Sequence, residues 1–317
     1  MVRRIFAPIN LTTQDMKDIR RNSAHAWLLA ARPKTLTAAL IPVMLGSGLA
    51  FSDGAFQVPQ AVLCLLFACT MQIAANFIND LYDYQKGTDR EDRLGPRRAC
   101  AEGWITPRAM RMGIGLTLLI ACLCGLGLLY LSWGELPHGG WELIAVGVTC
   151  ILFAFLYTTY LSYRGWGDLL VLVFFGFIPV GGTYYVQAGV LNVDVLVLSL
   201  VAGLVIDTLL MVNNYRDVEQ DRISGKQTLV ARFGARFGRQ AYLALGIAAV
   251  LLCTWFVFSG RLTWLDFIWA PCIYFYLHLM TWRRMCIIRS GEKLNSILGE
   301  TSRNMLFLGI LLSVALS

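Results

Sequence analysis

The sequence predicts an all-α, polytopic membrane protein of about nine transmembrane helices, and three observations carry that expectation. The 317-residue chain is 57% hydrophobic and 15% charged, too apolar for a soluble globule and too often interrupted for one long span. Its apolar residues fall into successive runs of roughly membrane-crossing length. Lys and Arg are also strongly partitioned among the connecting loops. Of the 27 in the chain, all but Arg261 lie in the N-terminal segment or in the loops after the second, fourth, sixth and eighth spans. Cytoplasmic loops hold such an excess, so the N-terminus is expected inside and the C-terminus outside.

Taken in order, residues 1–34 are polar and basic, with a weakly amphipathic piece at 25–31 suited to the membrane surface. This segment has no apolar core followed by a small-residue cleavage site, so a cleaved signal peptide is not expected. The spans are read at 36–51, 61–82, 109–131, 141–161, 168–187, 195–215, 241–259, 262–281 and 305–316. The first and last are short for a bilayer, which implies tilt, a re-entrant path or greater length. The whole of 1–317 reads as one integral-membrane domain.

The nine Cys do not form a disulfide framework. Seven lie in apolar runs and two, Cys100 and Cys286, in basic loops, where they act as small apolar side chains. His25, His138 and His278 are scattered and form no ligand set. A net charge of +7 follows from the loop asymmetry and does not point to nucleic acid.

Chemistry is concentrated in two stretches, Asn76-Phe-Ile-Asn79-Asp80-Leu-Tyr-Asp83 and Asn213-Asn214-Tyr-Arg216-Asp217-Val-Glu-Gln-Asp221. Amides and carboxylates recur there three, four and seven residues apart at the end of an apolar run, so each set shares a helix face. Offset by 134 residues, Asn79 matches Asn213, Asp80 matches Asn214, Asp83 matches Asp217, and Gly87 stands opposite Asp221. The register suggests an ancient duplication, with related four-helix halves at 35–161 and 165–284 plus a ninth helix. Both stripes end on the cytoplasmic side, where they would face a polar cavity.

Ionisable groups at a bilayer edge are costly unless paired or bound to a cation. Asp80, Asp83, Asp217 and Asp221, with the amides of Asn79, Asn213 and Asn214, are hard oxygen donors suited to Mg²⁺ and poorly suited to zinc. Mg²⁺ favours a carboxylate or two plus substrate phosphate oxygens, so a diphosphate substrate is implied. The following loops carry Lys86, Arg90, Arg93, Arg97 and Arg98, then Arg222, Lys226 and Arg232, with Arg216 inside the second stripe. These cations either bind the diphosphate or only satisfy the positive-inside rule. Gly87 and Gly225 let the backbone turn sharply past each stripe.

These residues resemble the intramembrane UbiA prenyltransferase superfamily, whose aspartate-rich motifs read N-D-x-x-D-x-x-x-D and D-x-x-x-D. Within it the sequence is most similar to the branch that prenylates 1,4-dihydroxy-2-naphthoate in menaquinone biosynthesis. The resemblance also rests on Ala31-Arg32-Pro33-Lys34-Thr35, Arg93-Leu-Gly95-Pro96-Arg97, Gly167-Asp168-Leu169, Gly182-Thr183-Tyr184-Tyr185 and Gly225-Lys226-Gln-Thr228-Leu229. It spans about 30–238. One departure is Gly87, where the superfamily usually has a third Asp; Asp89 lies two residues on.

The resemblance implies a bacterial inner-membrane enzyme that transfers a polyprenyl group from polyprenyl diphosphate to the naphthoate, with loss of carbon dioxide and diphosphate. It implies Asn79, Asp83, Asp217 and Asp221 as Mg²⁺ ligands, and Lys226 beside them in catalysis. Asp80, Arg93, Arg97, Asn213, Asn214 and Arg216 are expected near substrate, and Lys34 and Arg164 either there or anchoring loops at the membrane surface. Asp207, seven residues before Asn214, is expected to point towards the cavity, as an acceptor ligand or as a buried acid without a role. Asp168 opens the fifth span, where a helix N-terminus by itself stabilises a carboxylate. Two other readings stay open: a different aromatic acceptor such as 4-hydroxybenzoate, and a cation-coupled transporter. Transporter sites usually lie near the bilayer midplane at broken helices, unlike these helix-end acids.

Overall fold

The computed structural model describes residues 19–87 and 94–317, and every described regular element is helical. Helix α1 (Ala24–Ala31) is capped by Ser23, whose hydroxyl accepts from the Ala26 amide at 3.2 Å. Ala26 and Ala30 are buried, and Trp27 packs edge-on against Phe77 at 5.3 Å. The segment expected to lie along the membrane surface is therefore docked onto the bundle.

Arg32, in a left-handed conformation, and a 3₁₀ turn at Pro33–Leu36 lead into α2 (Thr37–Ser52). Helix α3 (Val58–Lys86) carries the first stripe and ends at Gly87, whose φ of 66° is left-handed as expected. Next come α4 (Pro107–Leu131) and α5 (Trp141–Thr159). Helix α6 (Gly167–Ala188) is wound as a π-helix over Leu172–Gly181, around Pro179. Helix α7 (Val193–Arg216) carries the second stripe, and short α8 (Val218–Ile223) continues it to Asp221. Helix α9 (Leu229–Phe258) bends at Gly234, and α10 runs over 264–288 through a π turn at Pro271. Helix α11 is Leu294–Leu316.

Among the described residues eight helices are long and apolar enough to cross a membrane. The expected eighth span is α10, which is not one of the eight and turns basic at Arg283 and Arg284. Helices α9 and α11 begin earlier than expected, at Leu229 and Leu294. Their charged first turns, with Arg232, Arg236 and Arg239 or Asn295, Glu300 and Arg303, conceal helices that continue past the apolar core.

The last helix closes the bundle onto the first. Ser313 donates to the Met44 carbonyl at 2.9 Å, and Thr37 and Ser302 share a 3.0 Å hydrogen bond. Small residues bring backbones together. A Cβ built on Gly176 of α6 would lie 2.5 Å from the Ser199 carbonyl oxygen of α7. One apolar core joins α2, α6, α7, α9 and α11, and another joins α1 with α3 and the start of α4. Leu116, Leu119, Leu123 and Leu126 of α4 face outwards, as lipid contact requires.

Candidate active site

Between the helices lies a cavity of about 400 Å³, with walls that are mostly apolar. Its polar lining includes Asn76 and Asn79 of α3 and Asn213 of α7. The amides of both stripes therefore reach one space, while Asp83, Asp217 and Asp221 are not among its lining residues. On α7 the lining residues Ile206, Leu209, Leu210 and Asn213 follow the spacing of one helix face.

The first stripe is fixed by neighbours on every turn. The Asn76 amide donates to the Ala31 carbonyl at 2.9 Å and to Thr35 Oγ1 at 3.0 Å, which ties α3 to the turn before α2. Asn79 Oδ1 accepts from Thr158 Oγ1 of α5 at 2.6 Å. One turn on, Asp83 is buried and pairs with Arg98 at 2.7 Å. Asp80, on another face, accepts from the Ala99 and Cys100 amides at 2.8 Å each and is 1% exposed. Both its oxygens are thus committed to the loop that carries Arg98. Asp80 lies outside the cavity lining and anchors the loop that delivers Arg98 to Asp83.

The second stripe is organised by Arg216, which chelates Asp217 through two hydrogen bonds of 2.7 and 2.6 Å. Its remaining nitrogen donates to Asn295 Oδ1 at 2.8 Å, and Asn295 donates to the Leu94 carbonyl at 2.8 Å. This chain joins the second stripe, the start of α11 and the loop after the first stripe. Asp221, on α8, accepts from Thr228 Oγ1 at 3.3 Å. Burial pushes its carboxyl up to about 6, against the opposing pull of Lys226 and with a smaller push from Asp217.

Several expected residues lie elsewhere. Arg97 is half exposed and pairs with Glu102 at 2.8 Å, because its neighbour Arg98 takes the inward position. Lys34 is exposed, and Arg32 lines the cavity in its place. Arg164 is exposed and stacks over Tyr160 at 4.1 Å. Arg93 lies outside the described residues, as do Arg90 and Asp89. Asn214 and Lys226 line a smaller space beside the cavity, with Tyr157 and Asp168. Asp207 is 3% exposed and does not reach the cavity lining, because its register places it beside the lining face. The sequence reading gave Arg98 no special weight and missed Asn295, which carries no charge and sits far from either motif.

The donor set is hard oxygen, as Mg²⁺ requires. Asn79, Asp83, Asp217 and Asp221 offer only oxygen, and Asp83 and Asp217 each draw a buried guanidinium to themselves. Among the described residues no three His, Cys, Asp or Glu side chains converge closely enough to hold an ion alone. A metal here needs further oxygens from substrate or water, which is the ordinary habit of Mg²⁺. On those terms the residues fit.

The model of the UbiA prenyltransferase family matches residues 39–296. The chain belongs to that family. It is 33% identical over 297 residues to a 1,4-dihydroxy-2-naphthoate octaprenyltransferase of Haemophilus influenzae, covering 92% of this chain and 95% of that one. A protein of the same description from Escherichia coli is 34% identical, covering 81% and 85%. Among solved structures, a UbiA homolog from Archaeoglobus fulgidus bound to GPP and Mg²⁺ superposes with a TM-score of 0.64 at 16% identity, covering 90% of this chain and 99% of that one. Membership makes this protein an intramembrane prenyltransferase, and the all-helical UbiA-type bundle agrees with the sequence expectation.

Proposed function

We propose that the protein transfers a polyprenyl group from polyprenyl diphosphate to 1,4-dihydroxy-2-naphthoate, releasing diphosphate and carbon dioxide and giving a demethylmenaquinol. The observation that carries this reading is the shared cavity: Asn79 of one stripe and Asn213 of the other line the same apolar space. An allylic diphosphate has matching halves, a polar head and a long hydrocarbon tail. Names of relatives at 33–34% identity supply the acceptor.

Each residue then has a physical task. Mg²⁺, held by Asn79, Asp83, Asp217 and Asp221, would neutralise charge on the diphosphate oxygens when bound. Lys226 adds a mobile point charge, and Arg98 and Arg216 hold Asp83 and Asp217 in place. The tail lies along the apolar wall that includes Phe174 and Phe175, away from water that would quench an allylic cation. Cleavage of the carbon–oxygen bond leaves that cation facing the acceptor ring, whose carboxyl-bearing carbon attacks it. The charge partition supports a stripe end facing the cytoplasm, with the N-terminus inside and the C-terminus outside a bacterial inner membrane. The duplicated halves at 35–161 and 165–284 would account for two stripes in one orientation.

Mass spectrometry of the products is the test. Purified protein in detergent receives the naphthoate and a polyprenyl diphosphate, with Mg²⁺ and then with chelator. A prenylated, decarboxylated product that forms only with Mg²⁺ is expected. Product from 4-hydroxybenzoate alone would move the acceptor assignment, and no product with any aromatic acceptor would overturn the reading.

A further inference from the structure

We propose that the small polar pocket beside the cavity binds the hydroxyl–carboxyl edge of the aromatic acceptor, and that Asp168 takes the ring hydroxyl's proton and later returns it. The inference rests on the aromatic hydroxy-acid reading above. The pocket has a volume of about 30 Å³, room for a substituent and not for a ring. It shares Tyr157 and Leu210 with the main cavity, so a ring held in the cavity can place its polar edge in the pocket.

The lining is mixed in a way that suits one edge. Lys226, Asn214 and Ser162 supply hydrogen-bond donors, and Asp168 supplies an acceptor. An ortho-hydroxy carboxylate offers the complement on neighbouring ring carbons: a carboxylate for the donors and a hydroxyl for the acid. A simple phenol or a simple carboxylic acid satisfies only half of it.

The site is built, not incidental. The Gln227 amide donates to the Tyr163 carbonyl at 2.9 Å, and a Cβ on Gly165 would lie 2.5 Å from the Gln227 carbonyl oxygen. The loop after α5 is thereby pressed against the loop after α8. Gly167 keeps the wall thin, since a Cβ there would meet Leu210 at 3.3 Å and the Tyr157 hydroxyl at 3.9 Å. Asp168 Oδ1 is buried with no hydrogen-bond partner, and so is Asp207 Oδ1 behind it. An unsatisfied buried carboxyl oxygen is costly, and that of Asp168, which lines the pocket, is explained if it receives a proton from substrate.

The step balances. The ring carbon that bears the carboxylate bonds to the allylic cation left once the carbon–oxygen bond breaks and diphosphate departs with the electron pair. The hydroxyl next to that carbon becomes a ketone, and its proton passes to Asp168. Carbon–carbon cleavage then releases carbon dioxide and returns the electron pair to the ring as an enolate. That oxygen recovers the proton from Asp168. No oxidant or reductant enters.

The test is direct binding to the full-length protein in detergent, read by naphthalene fluorescence. 1-Hydroxy-2-naphthoate is compared with 2-naphthoate, which lacks the hydroxyl, and with 1-naphthol, which lacks the carboxylate. Wild type should prefer the hydroxy acid to either by about tenfold or more, the scale of one net hydrogen bond. Asp168→Asn should bring its preference over 2-naphthoate to within about twofold. Ser162→Ala should weaken both acids and leave 1-naphthol unchanged. A preference retained in Asp168→Asn, or absent from wild type, overturns the pocket assignment. Should Asp168→Asn fail to fold, unchanged acid binding by Ser162→Ala overturns it as well. Prenylated product with no such binding preference would sink the pocket alone, whereas no product from any hydroxy-naphthoate would sink the functional reading beneath it.

Discussion

The two ends of this bundle use the same residue types to opposite effect. At the end away from the stripes, Arg261 bridges Asp53 at the end of α2 and Asp194 at the start of α7, the latter at 2.9 Å. Tyr184 donates to Asp53 at 2.5 Å, and Trp255 donates to Asp194 at 2.7 Å. Burial acts to raise the Asp53 carboxyl, but Tyr184 and Arg261 outweigh it and hold the group below the usual range. Arg261 is correspondingly raised. At the stripe end, Asp221 is pushed up to about 6 despite Lys226. At the clamp end every charge closes on another, whereas at the stripe end Asp83 and Asp217 are paired but Asp221 stays raised, so that end still gains from an incoming cation.

This contrast is open to experiment. The largest effect is expected from Asp83→Asn, which should cut prenyl transfer by about 10²–10³-fold, the range for losing one group that stabilises developing charge. Product analysis at matched expression checks it, and near-normal turnover would remove Asp83 from the site. Next, Arg261→Leu should leave two acids facing each other and destabilise the protein by about 2–3 kcal/mol, while activity per folded molecule at low temperature stays unchanged. Thermal melting and turnover measured together decide this; a loss of turnover without a loss of stability would mean that the two ends are coupled.

A smaller, opposite effect is expected at Asp221. A folded-state carboxyl raised above its unfolded value binds a proton more readily when folded, so ionisation costs stability above about pH 6. That cost fades as pH falls through 6 towards the unfolded value. With chelator present, Asp221→Asn should therefore raise the melting temperature at pH 8 by about 2–4 °C, with the gain shrinking at pH 5, while activity is lost. A gain that does not depend on pH would point to packing instead of charge. The smallest effect belongs to Arg97→Ala. Its pair with Glu102 is half exposed, so stability should change by less than about 1 kcal/mol and turnover by less than about twofold.

Much of the fold and part of the site could be read from the chain. Asp83 and Asp217 were legible because helical spacing and a repeated register both mark them, and the helices because apolar runs and basic loops alternate. The division of labour within each stripe was not. Asp80 and Asp83 differ only in which face they occupy, and their fates are decided by the loop at 98–100, whose path no periodicity describes. Arg97 and Arg98 are neighbours of identical chemistry, separated only by a turn. Asp207 and Asn214 do share a face, as their spacing requires, but the cavity is lined from the adjoining face at 206, 209, 210 and 213. Helix phase relative to a cavity depends on what packs behind the helix, which no single segment encodes.

The near-contact of Gly176 with α7 has a consequence for how a long lipid substrate enters. With backbone against backbone, that seam has no side chains to swing aside and nothing to yield except the helices themselves. The cavity thus has a rigid jamb along α6 and α7. On the α3 and α4 side, side chains stand in the seam instead, Leu63 beside Gly127 and Phe67 beside Gly125. On the function proposed above, a prenyl tail would pass along a seam of that second kind, where side chains and not backbones meet.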